Sequence, residues 1–189
     1  MDLILASQSP RRSDLLRTAG IPFRVRVRPV EEKRSPEEAP RDYAMRLARE
    51  KAEASWEGSA EEVVLGADTI VVLGERVLEK PVDPADARAM LQALSGREHT
   101  VITGICLRHT AGAIADSEST LVRFASLDPA EIDAYVASAE PMDKAGAYAI
   151  QGLASKFVER TEGCYFNVMG LPIARVYRHW KTLVFGKEQ

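Results

Sequence analysis

Only two cysteines, Cys106 and Cys164, occur in the 189 residues, far apart and without metal-ligand spacing. That excludes a disulfide framework and a zinc motif, and the two thiols are expected to be reduced core residues. Asparagine occurs once, at Asn167, and glutamine is sparse, a faint sign of a heat-adapted source. Aromatic residues make up only 6% of the chain, and the net charge is −3. Both features argue against an RNA- or DNA-binding surface. No apolar run approaches a membrane span. The opening run Leu3-Ile4-Leu5-Ala6 reads as a strand rather than a signal peptide, so a cytoplasmic protein is expected. What is present is ordinary for a globular chain: 46% hydrophobic and 28% charged residues. The length suits one domain, 1–189, built as a single body or as two intimately packed lobes.

The order of elements reads as α/β. Residues 2–6 form a buried strand. Ser9-Pro10 opens a helix, with Ser as cap and Pro in the first turn, and Gly20 ends it. Residues 23–28 alternate as a strand, and a charged loop runs from Glu31 to Arg41. A second helix spans about Pro40 to Trp56, and Val63 to Leu73 reads as a central strand. Asp83-Pro84 caps a third helix that stops at Ser95-Gly96. Two long strands, about 98–108 and 114–125, turn at Ala111-Gly112, which implies a mixed sheet. Asp128-Pro129-x-Glu131 is a capping box for a helix to Ser138. Residues 143–171 are Gly-rich, with short strands expected, and Pro172 begins a last amphipathic helix.

Four places hold residues that folding alone does not call for. In Ser7-Gln8-Ser9-Pro10-Arg11-Arg12, two arginines occupy the first turn of a helix, where the dipole disfavours them. Hydroxyls, backbone N–H groups and guanidinium forks there make a phosphate cradle; the bland alternative is two solvated arginines beside an ordinary cap. Asp68 stands inside the apolar strand run Leu65 to Val71, where a charge is costly unless paired. It could hold Mg²⁺ or act as a general base on water, or be a structural aspartate satisfied by backbone N–H groups. Gly66 and Ala67 keep the adjacent backbone thin, which would admit a ligand. Lys51 continues the helical stripe of Ala44, Leu47 and Ala48, the spacing of one face, although such a lysine commonly snorkels to water. In the run Asp143 to Gly152, Gln151 could read a base edge, or the segment could be a tight strand connection. Lys80-Pro81 and Glu31-Glu32 are individually bland. No Ser/His/Asp triad, paired-His site or Walker loop is present, so the charged set points to metal-assisted phosphoryl chemistry.

Taken together these strings resemble the Maf family of nucleotide pyrophosphatases. The matches are Leu5 to Arg12, Gly66-Ala67-Asp68-Thr69, Lys80-Pro81, Leu94-Ser95-Gly96, Glu140 to Tyr148, Ile150-Gln151-Gly152 and Val168 to Pro172. They follow the family's order over nearly the whole chain. The resemblance implies an elongated mixed sheet flanked by helices, with two lobes and a cleft, as in the inosine-triphosphate pyrophosphatases. It implies divalent-metal-dependent attack of water on the α-phosphorus of a nucleoside triphosphate, with Asp68 as proton acceptor and pyrophosphate leaving. Arg12, Thr69 and Gln151 match the subclass acting on dTTP and UTP. The sister subclass, which prefers 7-methyl-GTP, differs at all three positions.

On this reading Ser7, Ser9, Arg11 and Arg12 bind the triphosphate, and Lys51 and Lys80 neutralise developing charge. Asp68 and Glu32, with Glu31 as a neighbour, hold Mg²⁺ or Mn²⁺, while Thr69 and Gln151 select uracil or thymine. The resemblance also implies a homodimer, a house-cleaning role and a link to cell-division arrest. Three rivals stand beside it: the same reaction on CTP or a modified pyrimidine nucleotide, a nucleotide-binding regulator in which hydrolysis is incidental, and direct nucleic-acid binding, which the acidity disfavours.

Overall fold

The computed structural model describes residues 1–186. Seven strands make one mixed sheet: β1 (Asp2–Leu5), β2 (Phe23–Val25), β3 (Glu62–Leu73), β4 (Arg76–Leu78), β5 (Glu98–His109), β6 (Gly112–Phe124) and β7 (Val158–Glu162). The strand order is β2-β1-β3-β5-β6-β7, with β4 paired to β3. β1 lies parallel to both β2 and β3, while β4 and β7 run antiparallel to β3 and β6. The flanking helices are α1 (Pro10–Thr18), α2 (Pro40–Ala54), α3 (Pro84–Leu94), α4 (Pro129–Ala137), the single turn α5 (Tyr165–Val168) and α6 (Ile173–Phe185). Mixed-sheet α/β architecture is therefore as the sequence implies. Among the described residues no helix is long and apolar enough to cross a membrane.

Local chemistry explains most boundaries. Each of α1 to α4 begins with proline in its first turn, where the missing N–H costs nothing. Asp83 caps α3 through the Asp86 amide at 2.8 Å, and Asp128 and Glu131 form the expected reciprocal capping box on α4. Three expectations about elements and burial change, and a fourth changes at Gly66. β2 stops at Val25 rather than residue 28; one further bond, Arg26 N–H to Leu5 O, follows before the chain leaves the sheet. Residues 143–171 contain a single strand, β7, and are otherwise mostly 3₁₀ turns with the short α5. Cys164 is half-buried, not a core thiol like Cys106.

The chain forms two compact units. The first comprises Met1–Asp68, Thr103–Glu118 and the segment from Gly170; the second comprises Thr69–Ile102 and Ser119–Met169. In the first, α2 lies directly on the sheet, and glycine makes that possible. A Cβ on Gly66 would stand 2.0 Å from the Ala48 carbonyl oxygen, and one on Gly104 2.4 Å from that of Ala44. Gly66 thus makes room for a helix, not for a ligand as its sequence context implied. Ala48, Ala52, Ile4, Val64 and Cys106 fill the contact. The second unit has an aromatic core in which His99, Phe124 and Tyr148 pack edge to face, with Phe157 and Tyr135 continuing the cluster.

Candidate functional site

The closeness of α2 to the sheet decides where Lys51 goes. Its ammonium does not snorkel to water. It turns to Asp68 Oδ1 at 2.6 Å and Glu32 Oε1 at 2.8 Å, with its side chain only 14% exposed. Asp68 shares the β3 face of Gly66, two residues before it, by the alternation of a strand. Its side chain is 10% exposed, so an ionised carboxylate there depends on its cations. Burial pushes the Asp68 carboxyl above its ordinary range and Glu32 adds to this, while Lys51 and Arg12 pull it down. A carboxylate raised in this way is a better proton acceptor near neutral pH.

A second arrangement lies beside the start of α1. Ser7 is buried, and its Oγ accepts from the Ser9 amide at 3.2 Å and from Arg12 Nη1 at 3.0 Å. Arg12 Nε donates to the Gly170 carbonyl at 2.8 Å, so a buried guanidinium is held on two sides. Burial lowers the Arg12 pKa, Asp68 and Glu32 oppose this, and Arg11 adds to the lowering. Arginine nevertheless stays charged. Ser9 occupies the N-cap as expected, yet among the described residues its side chain makes no capping hydrogen bond. The hydroxyl is therefore not spent on the helix. Three cations, Arg11, Arg12 and Lys51, thus act near two carboxylates, Asp68 and Glu32. The excess of positive charge at a helix N-terminus suits a polyanion.

Asp68 and Glu32 already converge on one cationic point, the Lys51 ammonium. Two carboxylates suit a hard divalent ion that keeps waters and substrate phosphates as its other ligands. Among the described residues no group of three or more His, Cys, Asp or Glu forms a metal cage, so a dedicated all-protein site is not what these residues offer. Glu31 is exposed next to Glu32.

The remaining expected residues belong to the second unit. Thr69 follows Asp68 on β3, so its side chain leaves the opposite face of the strand. Lys80 is exposed just past β4. Gln151 is exposed in a turn closed by the Gly152 amide on the Ala149 carbonyl at 3.0 Å. The geometry thus brings Ser7, Arg12, Glu32, Lys51 and Asp68 together within one unit and sets Ser9 and Arg11 in the same helix start.

Two features escaped the sequence reading. The Gly170 carbonyl that orients Arg12 lies in a matched string, Val168 to Pro172, but a backbone acceptor leaves no side-chain signal. An ion-pair network joins β6 to α6: Arg175 to Asp116 and Glu118 at 3.0 and 2.8 Å, with His179 on Asp116 at 2.9 Å. The alternating acidic positions 116 and 118 were its only trace.

A family model described as Maf-like protein matches residues 2–183. The protein named dTTP/UTP pyrophosphatase from Koribacter versatilis (strain Ellin345) is 53% identical over 178 residues, 94% of this chain and 92% of its own. A protein of the same name from Syntrophomonas wolfei subsp. wolfei is 53% identical over 175 residues, 92% of this chain and 93% of its own. Another from Bacillus cereus (strain AH820) is 49% identical over 179 residues, 95% and 94% of the two chains. With the matched strings in order and the charged set assembled around Asp68, the chain belongs to the Maf family.

Proposed function

We propose that this protein hydrolyses dTTP and UTP to their monophosphates and pyrophosphate. The observation that carries the reading is the buried Asp68 carboxylate, raised by burial yet held by Lys51, beside an arginine fixed by Ser7 and Gly170. Water attacks the α-phosphorus as its proton passes to Asp68; the new O–P bond forms while the α–β bridge bond breaks, and pyrophosphate leaves. Arg11 and Arg12, with Ser7, Ser9 and the α1 N-terminus, bind the phosphate chain. Lys51 and Lys80 offset the charge that grows on phosphoryl and leaving oxygens. Asp68 and Glu32 would hold Mg²⁺ or Mn²⁺, which when bound supplies charge neutralisation at the phosphates. Thr69 and Gln151 favour uracil and thymine, whose O4 and N3–H match the amide's donor and acceptor. The substrate names of three relatives support the pyrimidine assignment. A house-cleaning role in the nucleotide pool fits such an activity.

The test is a panel of nucleoside triphosphates with Mg²⁺ or Mn²⁺, with pyrophosphate and orthophosphate assayed separately and Asp68→Asn run alongside. Pyrophosphate from dTTP and UTP, reduced about 10²–10⁴-fold in the variant, is expected. Orthophosphate would show that a different bond is cut. Unchanged turnover by Asp68→Asn would remove Asp68 from the reaction.

A further inference from the structure

Glu140 begins a 3₁₀ turn just after α4 and has no place in the chemistry above. Its carboxylate nevertheless organises the turn that carries Gln151. Oε1 accepts from the Tyr135 hydroxyl at 2.9 Å and from the Leu153 amide at 3.1 Å, with Oε2 on the same amide at 3.2 Å. The Tyr135 hydroxyl in turn accepts from the buried Ala149 amide at 3.2 Å. One carboxylate therefore holds both ends of the segment 149–153, directly at Leu153 and through Tyr135 at Ala149. The fit is close: a Cβ on Gly152 would stand 2.4 and 2.5 Å from the two Glu140 oxygens. The backbone of Glu140 is anchored as well, because Lys144 Nζ donates to its carbonyl at 2.6 Å. Gln151 stays exposed at the tip while its neighbours Ala149 and Ile150 are buried.

We propose that Glu140, acting through Tyr135 and the Leu153 amide, is a positioning residue that fixes Gln151 for selection of the pyrimidine base. This rests on the reading of Gln151 as base reader. A side-chain amide distinguishes uracil from cytosine only if its oxygen and nitrogen stay where the base edge arrives, and an exposed side chain on a loose turn cannot do that. Glu140 does not touch the base; it removes the freedom of the backbone beneath Gln151.

The experiment compares Glu140→Ala, Glu140→Gln, Tyr135→Phe and Gln151→Ala in the full chain, with kcat/KM for UTP and CTP and amide hydrogen exchange across 149–153. Glu140→Ala is expected to lower kcat/KM for UTP about 10-fold, mostly through KM, and to narrow the UTP/CTP ratio toward that of Gln151→Ala. Adding Gln151→Ala to Glu140→Ala should cost little more, since both act through one group. Glu140→Gln, which keeps an acceptor, should recover part of the ratio, a rescue that a general folding defect would not show. Tyr135→Phe cuts only the tie to Ala149 and should give a smaller narrowing. Exchange at the Leu153 amide should rise at least 10-fold in Glu140→Ala while the core strands keep theirs. An unchanged UTP/CTP ratio in Glu140→Ala, beside an altered one in Gln151→Ala, overturns the proposal. Failure of Gln151→Ala itself to change the ratio removes the base-reading assignment instead. The exchange measurement needs no substrate, and slow Leu153 exchange surviving in Glu140→Ala overturns the positioning role whatever the activity shows.

Discussion

The two units differ in how they handle their most deeply buried acid–base groups, Asp68 and Arg12 in the first and His99 in the second. The first pairs its buried acid and base, Asp68 with Lys51 and Arg12, while its buried Cys106 thiol is pushed up to about 11 by burial and stays neutral. The second keeps its buried histidine neutral. His99 is 2% exposed among aromatic rings, and its Nε2 lies 2.8 Å from the Tyr148 hydroxyl. Among the described residues its Nδ1 finds no hydrogen-bond partner. Burial alone pushes His99 down to about 4, and burial pushes the Tyr148 hydroxyl upward. A region that retains costly charges, each with a partner, is organised for an ionic ligand; a region that discharges them is organised for packing.

The largest break in this contrast should come from Gly66→Ala. The added methyl meets backbone, not a mobile side chain, so α2 must lift from the sheet and carry Lys51 with it. A loss of about 3 kcal/mol in stability is expected, at the upper end for overpacking, together with most of the turnover; thermal melting and pyrophosphate release measure the two. Gly152→Ala, whose methyl meets the Glu140 carboxylate rather than backbone, should cost less than Gly66→Ala. Equal melting of the two variants would refute the account of Gly66.

The neutral side of the contrast is tested by acid. An unfolded histidine protonates below about 6.5, whereas the folded His99 resists until about 4. Between those values the unfolded state binds the extra proton, so stability is full above about 6.5 and falls as the pH drops toward 4. The loss should reach about 3 kcal/mol. His99→Phe should melt with a visibly smaller drop between pH 7 and 4.5 than the parent. An identical drop would place the acid sensitivity elsewhere.

The smallest effect sharpens the charged side. Lys51→Met keeps the packing stem and removes the ammonium that holds Asp68 ionised. The Asp68 carboxyl should then rise further, and the acid limb of kcat/KM should move to higher pH. A limb that stays in place would assign the titration to another group.

What the sequence disclosed follows the range of the interactions. The Asp128/Glu131 box and the prolines opening α1 to α4 act within one turn, so they were legible. β4, three residues long, is too short for alternation to show. The 3₁₀ turns of 143–171 mimic the Gly-rich spacing of strand connections. At the site, residue types were readable: Arg12, Lys51 and Asp68 stood out because each violates its local pattern. Their partners were not, since Lys51 meets Asp68 seventeen positions away and Gly66 admits a helix that no local pattern announces. Glu140 was visible only as part of a matched string, because its partners Tyr135 and Leu153 are linked through three-dimensional packing.

The bond from Arg12 to the Gly170 carbonyl spans 158 positions of sequence. During synthesis the arginine therefore emerges long before the group that orients it, and the whole second unit is made in between. A ribosome-bound chain ending short of Gly170 carries every side chain of the Asp68 cluster but lacks that anchor. The Arg12 guanidinium thus gains its backbone anchor only late in translation, when the polypeptide returns to the strand region where it began.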